Sequence, residues 1–299
     1  MMFDCAIIGG GPAGLNAALV LGRARRNTVL FDNNRPRNVV TGESHGFITR
    51  DGVKPAEFRR IAHEDIDKYG TVRRVQTKIV DVRREGLFFR LATEEGEIVQ
   101  ARKLLLAAGL KETLPSVPGI HDFYGKSLFN CPYCDGWELR DRPLAVIAEQ
   151  EHAFHMVRVV YNWSRDLVVF TNGRFNLSAE EKSRLSRKGI PVLEQRIASL
   201  RGQHGRLESV VLEDGREIRR AGGFVAPQWT QAAPFGDRLG CARNGKGGYV
   251  TDGFGRTSVK DVYAAGDTSV VAPSQLIIAA AEGSRAAIGV NTDLTEEDF

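Results

Sequence analysis

The glycine-rich stretch GGGPAG near the N-terminus restricts the possible folds of this chain more than any other segment. A short apolar run over residues 3–8 precedes it, a stretch with helical apolar spacing follows it, and a second apolar run ends at Asp32. Gly9, Gly11 and Gly14 therefore form a GxGxxG motif between a strand and a helix. This arrangement predicts a βαβ unit whose first turn binds the pyrophosphate of a dinucleotide.

Each residue of the motif has a separate physical task. Gly9 permits a tight turn, Gly11 lets backbone N–H groups approach a phosphate, and Gly14 lets the helix pack closely on the strand. The helix N-terminus adds a partial positive charge that favours the phosphates. Asp32 is expected to accept hydrogen bonds from ribose hydroxyls. A purely structural glycine turn is the alternative, because GxGxxG alone is a weak signal.

The rest of the 299-residue chain alternates strand and helix patterns without a fixed-period repeat. A second α/β segment begins near Arg142, and the chain returns to glycine-rich sequence near residue 247. The length exceeds the usual size of one hydrophobic core, so two domains are expected. The pattern predicts an α/β protein in which one domain is split by the insertion of another.

Composition excludes several other classes of protein. Hydrophobic residues make up 42% and charged residues 26% of the chain, as in an ordinary globular protein. The net charge is +4 and the arginines are dispersed, which indicates a solvated surface and no nucleic-acid partner. No segment reaches the roughly 18 consecutive apolar residues of a membrane helix, and no signal peptide is evident. We therefore expect a cytoplasmic protein without a membrane span.

The sequence CPYCD places Cys131 and Cys134 two residues apart, with Asp135 directly after them. A redox pair is favoured over a zinc site, since the other two cysteines are isolated and zinc needs about four ligands. A glutaredoxin-type pair and a structural disulfide are weaker interpretations of the same residues. Asn130 is a plausible N-cap for a helix that would stabilise a thiolate, and Asp135 can shuttle protons. Of the isolated cysteines, Cys5 and Cys241, the first is expected in the core and the second has no assigned role.

The stretch VYAAGDTSV supplies a second motif, Gly266–Asp267, between an apolar strand and a helix predicted over residues 273–290. Together with GGGPAG and CPYCD, it resembles the low-molecular-weight thioredoxin reductase type of FAD-dependent disulfide oxidoreductase. The resemblance covers nearly the whole chain. It implies a homodimer and two Rossmann-like, three-layer domains. An FAD-binding domain of residues 1–114 and 227–299 would be interrupted by an inserted domain, 117–224, that carries the cysteine pair.

The resemblance also implies site residues. Cys134 would face the flavin, Cys131 would attack the substrate disulfide, and Asp135 would be the acid or base. The residues expected to bind FAD lie at five places along the chain and are Gly9, Gly11, Pro12, Ala13, Gly14, Asp32, Ala108, Gly109, Gly266, Asp267 and Gln275. Gln275 is expected in the first turn of the helix, beside the flavin ring. No metal ligand is predicted.

One segment departs from the family pattern. An NADPH-dependent member has a second glycine fingerprint at the first turn of the inserted domain, where this chain reads AVIAEQEHAF. Gln150 would place a side chain where a phosphate needs close backbone approach, and Glu149 and Glu151 would repel it. The arginine cluster that grips the 2′-phosphate is reduced to Arg174. We therefore expect an enzyme that exchanges electrons between FAD, the cysteine pair and an external thiol without using NADPH.

Several functions remain open on the sequence alone. The chain can be a dithiol oxidase that uses oxygen, or a reductase of a thioredoxin-like protein fed by a carrier such as ferredoxin. Arginines in NNRPRN and RDG offer a surface that steers an acidic carrier, although a solvated loop is the simpler interpretation. An ordinary NADPH-dependent thioredoxin reductase and a non-catalytic flavin-binding protein also stay open. His45 lies in a loop expected near the flavin or a partner, and the LTEEDF tail is expected to fray unless Phe299 covers the flavin.

Overall fold

The computed structural model describes residues 2–299, which form two compact units. Unit 1 consists of residues 2–39, 46–111 and 229–299. Unit 2 consists of residues 40–45 and 112–228. The predicted α/β class is confirmed. The prediction of an FAD-binding domain interrupted by an inserted domain with the cysteine pair stays a proposal.

The strands and helices alternate along most of the chain. The strands are β1 (Met2–Ile8), β2 (Thr28–Phe31), β3 (Val72–Val75), β4 (Ile79–Glu85), β5 (Phe88–Thr93), β6 (Ile98–Leu106), β7 (Leu110–Thr113), β8 (Leu128–Phe129), β9 (Leu144–Ile147), β10 (Leu167–Phe170), β11 (Val192–Leu193), β12 (Ile197–Gln203), β13 (Arg206–Leu212), β14 (Glu217–Arg219), β15 (Gly223–Val225), β16 (Gln228–Gln231) and β17 (Val262–Ala264). The helices are α1 (Pro12–Arg23), α2 (Pro55–Asp67), α3 (Ile120–Phe123), α4 (Pro132–Asp135), α5 (Ala153–Val160), α6 (Ala179–Ser186), α7 (Phe235–Arg238) and α8 (Leu276–Asp298). Short 3₁₀ turns lie at Arg37–Val40 and Gly266–Thr268.

Unit 1 is built on a mainly parallel sheet in the order β3-β2-β1-β6, with β17 on the far side of β6. The antiparallel pair β4 and β5 continues the sheet from the N-terminal part of β6. The central strand β1 is apolar, and its residues Cys5, Ala6 and Ile7 are fully buried. Burial on both faces is typical of a central parallel strand, and it explains why residues 5–8 of β1 are all apolar.

Helices α1 and α8 pack against each other over one face of this sheet. Small residues make the contact close. A Cβ atom added to Gly283 of α8 would lie 2.0 Å from the Ala13 carbonyl oxygen of α1. The small residues of both helices therefore bring α8 against the start of α1, next to the glycine-rich turn.

The C-terminal helix is longer than the sequence indicates. The sequence pattern predicts it over residues 273–290, but it extends over Leu276–Asp298, so the predicted frayed tail is wrong. Arg26 and Arg102 contact the Asp298 carboxylate at 2.6 and 2.8 Å, and Lys103 pairs with Glu297. These ion pairs join the acidic end of the helix to unit 1, while Phe299 is exposed.

Unit 2 is built on a parallel sheet in the order β11-β10-β9-β15-β8, and β12, β13 and β14 form a separate antiparallel sheet. Strands β9 and β10 are buried along their whole length. Because β10 lies on one side of β9 and β15 on the other, the strand order reverses between β9 and β15. Such a reversal is where open α/β sheets bind ligands, beyond the carboxyl ends of the strands. None of the helices in residues 2–299 combines the length and apolar character needed to cross a membrane.

Candidate active site

The glycine-rich turn of unit 1 lies at the carboxyl end of β1. Gly9 has φ +116°, and an added Cβ atom would lie 2.3 Å from the Ala107 carbonyl oxygen, which follows β6. A Cβ atom on Gly14 would lie 1.8 Å from the Gly9 oxygen, whereas a Cβ atom on Gly11 would meet nothing within 4 Å. The first and third glycines are thus required by the fold, and the second borders open space. That difference matches a turn shaped for close approach of a phosphate.

Helix α1 begins at Pro12, with Gly11 as its N-cap and no acidic residue in its first turn. Ala13 is buried beneath this turn and is in the close contact with α8 described above. Proline at the first helical position loses no hydrogen bond, because that N–H would have no helical partner. The free N–H groups of this helix start can therefore bind an anion.

Asp32 directly follows β2, close to the strand end that the sequence predicted, and its carboxylate is partly exposed. Its Oδ1 accepts a hydrogen bond of 3.1 Å from the Asn34 backbone, and its Oδ2 accepts one from Arg59 of α2. The Arg59 Nε atom is buried and has no hydrogen-bond partner within the described residues. Arg59 gave no signal in the sequence, because only the fold brings α2 to the end of β2.

The small-residue turn after β6 lies beside the glycine-rich turn. Ala108 borders Gly9, because a Cβ atom on Gly9 would lie 2.7 Å from the Ala108 nitrogen. Gly109 has φ +72° and donates a backbone hydrogen bond of 2.8 Å to the Thr268 hydroxyl. This bond joins two of the predicted cofactor-binding segments, which are far apart in sequence.

The Gly266–Asp267 motif is held by side chains that the sequence did not indicate. Gly266 has φ +66°, and the Asp267 carboxylate accepts hydrogen bonds from Arg37 at 2.7 Å and from Ser274 at 2.6 Å. The Arg37 guanidinium lies 4.7 Å from the Trp229 ring centre. Burial raises the pKa of Asp267, and the charge of Arg37 offsets part of that effect.

Gln275 is placed differently from the prediction. It is the extended N-cap residue of α8 instead of a residue in its first turn. Its carbonyl oxygen accepts a 2.9 Å hydrogen bond from Ala279. The helix starts later than expected because residues 273–275 form an extended approach to it.

These features fit FAD. Gly11 borders open space at a helix N-terminus, and two buried guanidinium nitrogens, Arg37 Nη1 and Arg59 Nε, have no partner within residues 2–299. Buried donors of this kind need an acceptor, and phosphate and ribose oxygens are suitable acceptors. The residues of unit 1 can therefore hold a phosphorylated dinucleotide of the FAD type.

The cysteine pair of unit 2 is a disulfide, with a Cα–Cα distance of 5.3 Å. It closes the one-turn helix α4, in which Cys131 is the N-cap residue and Pro132 the first helical residue. The prediction that Asn130 caps this helix is wrong. Its side chain lies 3.4 Å from the Glu112 carboxylate, and Cys131 takes the capping position without a side-chain hydrogen bond.

Asp135 ends α4 and is buried, with 9% of its surface exposed. Burial is the main cause that raises the pKa of this carboxyl to about 7, the Glu138 charge adds to it, and the His45 side chain opposes it. His45 lies 3.8 Å from the carboxylates of both Glu43 and Glu138, so the three form one mixed cluster. A carboxyl group that titrates near neutral pH can both take and give a proton during thiol exchange.

The turn between β9 and α5 is occupied by side chains. We name residues 149–151 the acidic turn. Its Gln150 carboxamide donates a 3.2 Å hydrogen bond to the Pro227 oxygen beyond β15, and its Glu149 carboxylate accepts one of 2.5 Å from Asn172 beyond β10. The flanking residues Ala148 and Ala153 are fully buried. Side chains from this turn therefore extend over the carboxyl ends of three neighbouring strands.

Asn172 is the residue here that sequence reasoning missed. It has φ +52°, is 5% exposed, and its Oδ1 accepts a 2.7 Å hydrogen bond from the Ile197 backbone. Arg196 also lies close, because a Cβ atom on Gly173 would be 3.1 Å from its side chain. Arg174 and Arg196 are both exposed.

The two remaining cysteines take no part in either region. Cys5 is a core residue of β1, as predicted, and burial raises the pKa of its thiol. Cys241 is buried with its sulfur 3.5 Å from the Thr257 hydroxyl.

Known proteins share this chain's sequence and fold over nearly its full length. Residues 3–283 match the family described as pyridine nucleotide-disulphide oxidoreductase. A crystal structure of a protein assigned as thioredoxin reductase TrxB from Bacillus anthracis is 49% identical, has a TM-score of 0.96, and covers 99% of this chain and 100% of that one. An oxidoreductase from Agrobacterium tumefaciens is 34% identical, has a TM-score of 0.92, and covers 99% of both chains.

A curated relative gives the same result. The thioredoxin reductase tcpT of Claviceps purpurea is 32% identical over 284 residues, which are 90% of this chain and 87% of that protein. The predicted resemblance is therefore confirmed. The chain belongs to the pyridine nucleotide-disulphide oxidoreductase family and is a thioredoxin reductase-like, FAD-dependent disulfide oxidoreductase.

Proposed function

We propose that this enzyme takes electrons from an external dithiol through Cys131 and Cys134 and does not use NADPH. The observation that carries the proposal is the hydrogen bond from Gln150 to the Pro227 oxygen. It spans the point between β9 and β15 where the strand order of unit 2 reverses. This is the place where a nucleotide would bind to such a sheet.

The same position in unit 1 shows what a nucleotide needs. There Gly9 follows β1 and Gly11 borders open space, so a phosphate can approach the backbone. In unit 2 the corresponding turn presents the Gln150 carboxamide and the Glu149 carboxylate. The carboxamide occupies the space through which a phosphate would approach the backbone, and the carboxylate repels an anion. Binding of a pyrophosphate would require both side chains to leave their hydrogen bonds.

The alternative is an ordinary NADPH-dependent thioredoxin reductase, and one observation favours it. Arg174 and Arg196 flank the turn beyond β10, where a 2′-phosphate would lie. Two exposed arginines supply attraction but no backbone approach at the pyrophosphate. We therefore give these arginines less weight than the acidic turn in the choice between the two functions.

The residues of unit 2 support a complete exchange. A substrate thiolate attacks Cys131 Sγ, the Cys131–Cys134 bond breaks, and Cys134 leaves as a thiolate. The second substrate thiol then attacks the mixed disulfide and releases Cys131, so the substrate becomes a disulfide and the cysteine pair gains two electrons. Asp135 takes and returns the protons of these steps. FAD, when bound, supplies the two-electron acceptor for the reduced pair.

The residues that would hold FAD all lie in unit 1. Backbone groups of the GGGPAG turn, Pro12 and Ala13 included, would face the pyrophosphate, and Asp32 would face a ribose. Ala108, Gly109, Gly266, Asp267 and Gln275 would line the remainder.

We propose dioxygen as the final acceptor, so that one dithiol and one O₂ give one disulfide and one H₂O₂. The competing acceptor or donor is an acidic carrier such as ferredoxin, steered by the arginines of NNRPRN. Arg37 of that segment is instead paired with Asp267 and packed on Trp229. A small dithiol and a thioredoxin-like protein are both suitable thiol partners, and a homodimer is the expected assembly.

The test is oxygen uptake with dithiothreitol as the dithiol. We expect the wild-type enzyme to consume oxygen and form hydrogen peroxide in equal amounts, and Cys134→Ser to have no detectable turnover. Cys241→Ser is the matched control, because it changes a cysteine outside the pair. Turnover that persists in Cys134→Ser would refute the proposed route.

A further inference from the structure

A surface cavity of about 330 Å³ in unit 2 is lined in part by Tyr133, which lies between the two disulfide cysteines in the sequence. Its lining comes from α4, from α5 and from the turn after α5. We name it the aromatic groove, and its lining residues are Tyr133, His155, Arg158, Val159, Asn162 and Trp163. Its volume is at the lower end of the range for small-molecule sites, roughly 300 to 1,000 Å³.

The groove is joined to the reacting sulfurs through Tyr133, which lies between the two cysteines in the sequence. Tyr133 is 67% exposed, and its ring packs edge-on against Trp163 at a centroid distance of 5.4 Å. Trp163 also lies against the backbone after Cys134, because a Cβ atom on Gly136 would be 2.7 Å from its ring. A molecule held by these rings would therefore lie against α4, the one-turn helix that the disulfide closes.

The polar lining of the groove contains no acidic residue. Arg158 provides a guanidinium, His155 an imidazole and Asn162 an amide. The Arg158 guanidinium lies 5.8 Å from the Phe154 ring centre and has no carboxylate partner within residues 2–299. This differs from most arginines of the chain, which pair with acids, for example Arg220 with Asp166 at 2.5 Å.

We propose that the aromatic groove binds a small anionic dithiol, with its carboxylate on Arg158 and its apolar body on the Tyr133 and Trp163 rings. The inference rests on the proposed function and adds the class of substrate to it. A guanidinium without an acidic partner suits a carboxylate, and the exposed Tyr133 beside the half-buried Trp163 suits an apolar body.

The test measures binding and therefore does not depend on turnover. In a Cys131→Ser, Cys134→Ser background, calorimetry compares dihydrolipoate with dihydrolipoamide, which share one dithiol body and differ in the carboxylate. We expect dihydrolipoate to bind more tightly, and Arg158→Gln to lower the ratio of the two affinities about tenfold, as for loss of one charged hydrogen bond. Arg158→Lys should retain part of the ratio. Arg187→Gln, an exposed arginine of the same unit, should keep the wild-type ratio.

Equal affinity for the two dithiols, or an unchanged ratio in Arg158→Gln, would overturn the proposal. Binding of reduced thioredoxin that depends on Arg158, with no binding of either small dithiol, would overturn it in favour of a protein surface. Failure of the wild-type enzyme to oxidise dithiothreitol contradicts the proposed function instead, and leaves the binding result to be judged by itself.

Discussion

Gly11 and Gly14 lie three residues apart in one turn, yet an added methyl group would meet different surroundings at each. We predict that Gly14→Ala destabilises the protein by at least about 3 kcal/mol, since its Cβ atom would lie 1.8 Å from the Gly9 oxygen. Gly11→Ala should change the stability of the FAD-free protein by less than about 1 kcal/mol but weaken FAD binding at least about tenfold. Denaturant unfolding of the FAD-free protein and a fluorescence titration with FAD measure the two effects. Equal FAD affinity in Gly11→Ala and wild type would show that the second glycine does not face the cofactor.

Asp135 predicts a pH dependence of both activity and stability. Its pKa is raised from an ordinary 3.8 to about 7, so the folded protein holds its proton more tightly than the unfolded chain. The contribution of Asp135 to the unfolding free energy is therefore fully present at low pH and is lost as the pH rises from about 4 to about 7. Asp135→Asn should reduce the drop in unfolding free energy between pH 5 and pH 8 by about 2 kcal/mol.

The same substitution should remove an apparent pKa near 7 from the pH profile of kcat/KM for a dithiol. Asp122→Asn, which changes an exposed carboxylate of the same unit, is the control for both measurements. A profile that keeps its inflection in Asp135→Asn would assign the proton transfer to another group.

At the residue scale, the sequence could predict positions whose spacing is local. The glycines, the cysteine pair and Asp135 are of this kind, because each acts within one turn. The partner of Asp267 is different, since Arg37 is 230 residues away and only the fold brings the two together. Asn130 failed as a predicted cap because Cys131 begins the helix itself.

The acidic turn is the element on which the proposed function depends most. Asn172 holds it from the neighbouring strand, with side-chain hydrogen bonds to Glu149 and to the Ile197 backbone. We predict that Asn172→Ala lowers the unfolding free energy by about 2 to 3 kcal/mol, because it leaves a buried N–H group unpaired. Glycine adopts a φ of +52° as readily as asparagine, whereas alanine does not. The difference in unfolding free energy between Asn172→Ala and Asn172→Gly therefore measures the backbone contribution. Denaturant titrations measure both, and wild-type stability in Asn172→Gly would mean that these hydrogen bonds contribute nothing.

At the element scale, sequence patterns located the acidic turn but not its contacts. The missing glycines after β9 could be read directly, whereas the hydrogen bonds to Asn172 and Pro227 depend on the order of strands in the sheet. The boundaries of α8 were less predictable at both ends. Its last residues are polar and lack an apolar stripe, and they are held by Arg26, Arg102 and Lys103 of unit 1.

The two units share one sheet architecture but differ in the turn at which a nucleotide would bind. Both units have a parallel sheet whose strand order reverses, beside β1 in unit 1 and beside β9 in unit 2. In unit 1 glycines leave the backbone there accessible, and in unit 2 the Gln150 and Glu149 side chains extend over it. The alternation of strands and helices in the sequence predicted the architecture, because parallel sheets need helical crossovers. The proposed loss of NADPH use rests on the contrast between the two turns.

An anaerobic titration of the FAD-bound enzyme, followed by flavin absorbance, tests this central claim most directly. Dithiothreitol and NADPH are added in separate experiments to wild-type enzyme and to Cys134→Ser. The proposed function predicts that dithiothreitol reduces the flavin in the wild type only, and that NADPH in large excess leaves the flavin oxidised. Rapid reduction of the wild-type flavin by stoichiometric NADPH would contradict it.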